Sequence, residues 1–524
     1  MMSSAKRDLY QRKRVKKRKE LLGVLAKASD AQILQLFWAV NALQSEEPPN
    51  LDRFLKYPKE AAEAEIGNDW FVLKWEIENL LLLLLSTPKV AEGVTPARYF
   101  EFNTASIFIN LYKKAEQAES RVLLDNKNIL TEMQRYAHKQ FLWQRGFFHA
   151  ERMYRYYYVY GQGACADYFK GKYGLSIDEF ALACIGLYFK TQMEAWGKVP
   201  KLDPKMGVRP EIIELAMTLI SKDLPALRAD TAKRIAEVAN VSSSKIAYLP
   251  SSLRQYPIIT SPDNGGRIVV PLPQLIMLRA TSGLYYDLAD GPQTLFEEAN
   301  GRFEAYGKML IEARYPRFSV SREQEFGTKK ARYKTPDLLL KDGDEIKVVF
   351  ECKATKITFI AQYADDQYGE APKAFDQIAK GMAQLWKFFS RARRGLYAAE
   401  KVTPDAHGVI LTMDSWFQLE GNQLPFLRKK ASELVADEPD IRPEDMRDVI
   451  FCSIEDLDDV LAVSNEDEFL DTLEKAHLPE FQGWQLSSVR NPDWEKPLDR
   501  KPYPFKVDEV LPLWEEIAAL NGGE

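Results

Sequence analysis

A chain of 524 residues that is 46% hydrophobic and 28% charged has apolar material for about two to four buried cores, so it reads as a folded, multidomain protein. Its four cysteines, Cys165, Cys184, Cys352 and Cys452, lie far apart with no Cys-x-x-Cys pair, which excludes a disulfide framework and a structural zinc module and fits a reducing cytoplasm. The formal net charge of −5 disfavours a protein that grips nucleic acid by its overall charge, so such contact has to come from local clusters of Lys and Arg.

The first cluster opens the chain. Lys6 to Lys19 holds nine lysines and arginines against one acid, Asp8, and reads either as a nucleic-acid-contacting helix or as a solvated charge run. Lys27 and Asp30 interrupt the apolar stretch Leu21 to Ala26, and the Leu80 to Leu85 run is far below the ~20 residues of a membrane span, so neither a signal peptide nor an anchor is expected. Residues 1–245 read as a helical region for substrate or partner recognition. Ala31–Leu43, Ala61–Ser86, Pro96–Glu119 and Asn128–Tyr157 carry apolar residues at three-and-four spacing, and Ser176 to Glu179 is a capping box that starts a helix to Lys190. Between Tyr136 and Tyr160, aromatics alternate with basic residues, a pattern that reads as a core face edged by arginine stems before it reads as a base-stacking surface. Gly161 to Ala166 fits G-x-G-x-x-A, but a helix and not a strand precedes it, so no dinucleotide site is expected. The four histidines, His138, His149, His407 and His477, show no metal-ligand spacing, and no phosphate-binding Walker loop occurs. Residues 246–290, with prolines between Leu249 and Pro273, read as a linker in which Ile268–Pro273 is a strand and Leu275–Leu288 a helix.

The pattern changes over residues 291–465. Phe296–Arg314 predicts a helix and Phe318–Phe326 a strand; Leu338–Leu340 and Ile346–Phe350 then flank Asp342-Gly343, a pair suited to a hairpin turn. A turn loop of about four or five residues sets Asp337 opposite residue 348 or 349, and in the second register Glu351 is its diagonal neighbour on the same face. Alternation puts Glu351 and Lys353 on one face and Cys352 on the other. Ala374–Arg393 is an amphipathic helix with Phe375, Ile378, Met382, Leu385, Trp386 and Phe389 on its apolar side. His407–Asp414 and Asp448–Ser453 read as strands and Ile454–Leu461 as a helix, and residues 466–524 as a helical extension. Two acids and a lysine ending an apolar strand suit phosphodiester hydrolysis: the carboxylates hold Mg²⁺, which keeps other positions for water and phosphate oxygens, and the lysine orients the attacking water. The plainer reading, an exposed Glu-x-Lys on a strand, is set against the desolvation cost of charges at the end of a core strand.

On Pro336-Asp337, Glu351-Cys352-Lys353 and this order of elements, the region resembles the PD-(D/E)xK nuclease superfamily, the restriction-endonuclease-like fold. The resemblance covers about a third of the chain, and its motifs are short. It implies an α+β multidomain protein: a mostly helical N-terminal region, then an α/β nuclease domain with a mixed central sheet flanked by helices. It implies metal ligands Asp337, Glu351 and the Cys352 carbonyl, a further acid from Glu304 in Gly301 to Tyr306, and catalytic help from Lys353 and Gln377. Gln384, in Gln384 to Phe388, resembles the glutamine motif of the exonuclease branch and is the alternative. Lys356 reads as an exposed strand lysine. Lys329, Lys330, Arg332 and Lys334 before the hairpin, and Lys387, Arg391, Arg393 and Arg394 at the helix end, are the expected nucleic-acid contacts.

The expected protein is a cytoplasmic Mg²⁺-dependent endonuclease, with Mn²⁺ as a substitute ion, acting on DNA before RNA in a restriction or antiviral setting. Its expected partners are further copies of itself or a separate protein such as an ATPase subunit, with no membrane partner. The alternatives are a catalytically inactive nuclease-fold subunit that binds nucleic acid or assembles with other chains, and an RNase of the same fold.

Overall fold

The computed structural model describes residues 4–90, 98–126, 129–201, 208–241, 246, 249–261, 265–328, 331–354, 356, 367–397, 400–415, 423–493, 496 and 498–513. It is a mixed α/β structure. The N-terminal half is helical, as the periodicity predicts, but several predicted helices are split where the backbone turns. Ala61–Ser86 becomes Lys59–Ala62 and Lys74–Ser86, with Gly67 at φ 98° between them. Asn128–Tyr157 becomes Ile129–Arg145 and α1 (Ala150–Tyr160), broken at Gly146 with φ 78°. Positive φ is cheap only for glycine, so each break is written in the sequence although apolar spacing runs through it. Among the described residues no helix is long and apolar enough to cross a membrane.

Residues 246–290 form the strand pair Ile258–Ser261 and Arg267–Val269 and the helices Gln274–Ala280 and Leu284–Leu288. Ile258, Ile259, Leu275 and Ile276 are fully or almost fully buried in a core cluster that runs from Leu21 to Leu511. The stretch read as a linker thus packs as part of the body that joins the two halves.

The second half is built on α2 (Gln293–Arg314) and a five-stranded sheet made of β1 (Phe318–Arg322), β2 (Leu338–Asp342), β3 (Glu345–Lys353), β4 (Lys401–Thr412) and β5 (Val449–Ser453). The strands lie in the order β5-β4-β3-β2-β1; β1, β2 and β3 form an antiparallel meander, and β4 and β5 continue parallel to β3. The strand predicted over Phe318–Phe326 is two elements. The sheet strand stops at Arg322, and Glu325–Thr328 pairs with Ala331–Lys334 in a separate two-stranded ribbon inserted before β2.

Side-chain alternation divides the sheet between two cores. Leu338, Leu340, Val348 and Phe350 face the large cluster that includes Phe303, Tyr306 and Leu310 of α2. Leu339, Val349 and Ile410 face α3 (Pro372–Arg393), whose Phe375, Ile378, Met382, Leu385, Trp386 and Phe389 are all buried. Proline at the first position of α3 needs no N–H partner there and presets the helical φ. After β5, α4 (Ile454–Val463) starts behind the Ser453 side chain, which accepts from the Asp456 N–H.

Candidate active site

The β2–β3 hairpin turns more tightly than its sequence suggests. Asp342 pairs directly with Glu345, so the loop is only Gly343-Asp344, with Gly343 at φ 61° in the first central place. A bulge at Leu340/Lys341 takes up the difference, and Leu338 then pairs with Phe350. One residue earlier, Asp337 therefore stands opposite Glu351 and not diagonal to it. The Asp337 Oδ2 accepts the Cys352 N–H at 2.6 Å, which fixes the carboxylate against the end of β3.

Glu351 and Lys353 lie on the face covered by α3. Glu351 is 2% exposed, and the Lys353 Nζ donates to its Oε1 at 2.7 Å. This close approach requires Gly381 of α3: a Cβ there would stand 3.1 Å from the Lys353 Cε and 3.3 Å from the Glu351 Cγ. One turn on, the Gln384 Oε1 is 3.5 Å from the Lys353 Nζ. Gln377 is exposed on the same helical stripe, and no hydrogen bond joins it to Asp337, Glu351 or Lys353. Gln384, the alternative glutamine, is thus the one beside the lysine.

The electrostatics set these groups apart from an ordinary surface cluster. Burial first, and then the neighbouring Glu351 charge, push Asp337 up to about 7 against the pull of Lys353 and the Cys352 N–H. Burial also raises Glu351 despite Lys353. Burial works to lower Lys353, but Glu351 outweighs it and holds the ammonium charged. The carboxylate is the more buried partner, so it carries more of the desolvation cost while the ammonium keeps the benefit. Burial pushes the Cys352 thiol well up, so it stays protonated.

Glu304 approaches from α2, and its Oε2 accepts from the Arg322 Nη2 at 2.8 Å at the end of β1. Its charge, like that of Glu323, raises Glu351. Glu323, which the sequence did not single out, is paired with Lys334 at 2.7 Å. Nothing in its local sequence marks it; it follows Arg322, which pairs with Leu338, so the β1–β2 register sets it beside Asp337. Among the described residues no three His, Cys, Asp or Glu side chains gather closely enough to hold a metal by themselves. The buried Glu351 and the half-buried Asp337, both with raised pKa, are the residues that could hold a hard divalent cation, which keeps several water ligands.

The two basic clusters meet in space. The Arg391 guanidinium lies 5.5 Å over the Tyr333 ring, Tyr333 donates to the Leu396 carbonyl and Tyr397 to that of Lys334. Their charges, however, are largely matched: Arg332 to Glu325, Lys334 to Glu323, Lys387 to Glu438, Arg393 to Asp445 and Arg394 to Asp440. The acidic stretch between Glu433 and Asp448 is distant from the hairpin in sequence, yet it folds back onto the end of α3. Lys329 and Lys330 lie outside the described residues.

Lys356 departs from its expected exposure. It is 7% exposed, pairs with Asp414 at 3.0 Å, donates to the Ser282 carbonyl at 3.2 Å and sits 4.9 Å over the Tyr156 ring. Tyr156 of α1 donates to the same Asp414. Burial lowers the Lys356 pKa despite Asp414. The constellation ties the helical half to the ends of β3 and β4, and neither Asp414 nor Tyr156 carried a motif that would have pointed to it. Lys356→Ala leaves that contact without its cation and is expected to destabilise the protein by about 3 kcal/mol or more, read by urea unfolding at pH 7.

Comparison of the chain with family models, with curated proteins and with solved structures finds no match.

Proposed function

We propose that the protein is a metal-dependent phosphodiesterase. More particularly, it is read as a Mg²⁺-dependent endonuclease of the PD-(D/E)xK kind that cuts DNA. The observation that carries this reading is the convergence of Asp337, Glu351 and Lys353 at the adjoining ends of β2 and β3, with both acids held at raised pKa by burial. The order of α2, meander, α3 and parallel β4 supports it as a frame for that site.

In this reading Asp337 and Glu351 would hold the ion, with the Cys352 carbonyl and Glu304 as further oxygen donors. Bound Mg²⁺ supplies a water of lowered pKa and neutralises charge on phosphate oxygens. Lys353, held charged by Glu351, orients the attacking water and faces the phosphate. Gln384 limits where the lysine can swing, and α3 keeps bulk water from its inner side. Gly381 leaves the space in which Lys353 and Glu351 meet, so Gly381→Val is expected to displace the lysine and cut the cleavage rate at least tenfold while the far-ultraviolet circular dichroism stays unchanged.

The test is incubation of the purified protein with linear, supercoiled and single-stranded DNA and with RNA, each with Mg²⁺, Mn²⁺ or EDTA. Cleavage of duplex DNA that needs the metal is expected. Salt-sensitive binding with no cleavage of any substrate points instead to the non-catalytic subunit, and cleavage confined to RNA to an RNase.

A further inference from the structure

The helix Ser4–Leu25 is packed on one side only. Leu21 and Leu25 are fully buried, the Arg14 Nε donates to Glu119 at 2.7 Å, and Arg18 is partly buried beside the same acid. At 3.6 residues per turn these four side chains share one stripe. The opposite side carries Arg12, Lys13, Lys16 and Lys19, Lys6 stands on its flank two turns before Lys13, and all five are exposed. None of the five forms an ion pair among the described residues.

Cations three or four residues apart on a helix repel one another. Arg12 and Lys16, Lys13 and Lys16, and Lys16 and Lys19 stand at those spacings. Elsewhere this chain matches exposed cations with acids at the same spacing: Lys59 with Glu63, Lys190 with Glu194 and Lys475 with Asp471. On this helix only Asp8, four residues before Arg12, and Glu20, four after Lys16 and paired with Lys17 at 2.7 Å, carry the opposite charge, so in a chain with net charge −5 the excess of cations is local. From Lys6 to Lys19 the stripe runs about 20 Å, and duplex DNA offers a phosphate charge about every 1.7 Å of its axis. Tyr10 is half-buried, and the exposed apolar residues Leu9 and Val15 stand apart on the helix surface. The stripe therefore has neither aromatic platforms for an unstacked strand nor a continuous apolar face for a lipid surface.

We propose that Lys6, Arg12, Lys13, Lys16 and Lys19 form a docking stripe for the phosphate backbone of duplex DNA, apart from the carboxylate site. The inference rests on the nuclease reading for its choice of DNA, and its test is separable from it. Binding of a 30-base-pair duplex is measured by fluorescence anisotropy in EDTA over a range of salt concentrations. The wild-type chain is compared with a variant carrying glutamine at all five positions. A second variant, with Lys59, Arg98, Lys233, Lys475 and Lys496 replaced by glutamine, loses the same charge elsewhere. With ~0.9 counterions released per phosphate contact, the stripe variant should shift the slope of log K against log salt by about 4.5 and weaken binding at least tenfold at low salt, while the second variant keeps the wild-type slope. Equal effects of both variants, no effect of either, or wild-type binding to phosphatidylserine vesicles in place of the duplex would overturn the proposal. Duplex binding through the stripe by a protein that cuts nothing keeps the inference and removes the nuclease reading. Asp337-dependent cleavage with a salt slope indifferent to the stripe does the reverse.

Discussion

Asp337→Asn is expected to stop cleavage and, in the absence of metal, to stabilise the protein. The asparagine keeps the shape and an oxygen that can accept the Cys352 N–H, but it removes one of two acids proposed to hold the ion. Losing several kcal/mol of charge stabilisation in the transition state corresponds to on the order of 10³-fold in rate. The stability effect has the other sign. Asp337 titrates at about 7 in the folded protein and at its ordinary value of 3.8 when unfolded. Between those values the native state holds a proton that the unfolded chain has released, so stability falls as pH rises from about 4 to 7 and stays low above it. At ~1.4 kcal/mol per pKa unit the penalty at pH 8 is at most about 4.5 kcal/mol. In EDTA at pH 8 the variant should therefore melt several degrees higher than wild type. Mg²⁺ should raise the melting temperature of the wild type and leave the variant nearly unmoved. A variant that melts lower than wild type in EDTA at pH 8 would mean that Asp337 is a structural acid.

Lys353→Met is expected to lose activity and stability together. Methionine fills the space of the lysine stem beside Gly381 but leaves the buried Glu351 without the ammonium that lies 2.7 Å away. Removing one partner of a buried pair costs ~3–5 kcal/mol because the remaining charge is uncompensated. Glu351 already titrates above its ordinary value, so in the variant it takes up a proton more readily. The destabilisation should be largest near pH 8 and shrink as pH falls toward 5, which urea unfolding at several pH values will read. Cleavage should fall by ~10²–10³, the loss expected when a group that stabilises developing charge is removed. Unchanged stability at pH 8 would show that Glu351 is solvated and the pair a surface contact.

The parts of this site that were legible in the sequence are those set by local rules. Alternation along Ile346–Lys353 placed Glu351 and Lys353 together and Cys352 opposite, and the apolar stripe from Phe375 to Phe389 marked the helix that covers them. The turn around Gly343 was legible as a turn but not in its length, because the bulge at Leu340/Lys341 leaves no trace in the pattern, and that bulge decides that Asp337 faces Glu351. Non-local packing was not legible. Lys356 looks exposed when strand alternation is extended past the end of β3, whereas its ammonium lies among Tyr156, Ser282 and Asp414, from three distant parts of the sequence. The charges at the end of α3 looked free because their acids, Glu438, Asp440 and Asp445, are some fifty residues on. Gln377 and Gln384 lie on one helical stripe, and only the position of Gly381 against Lys353 chooses between them.

Hydrolysis of DNA by Asp337, Glu351 and Lys353 with a divalent cation is tested by the nicking of supercoiled plasmid at pH 8 by wild type and by Asp337→Asn in matched Mg²⁺ and EDTA reactions. Nicked and linear product is expected from wild type with Mg²⁺ alone and none from the variant in either condition. Plasmid cleavage by wild type in EDTA, or equal cleavage by wild type and variant in Mg²⁺, would contradict it.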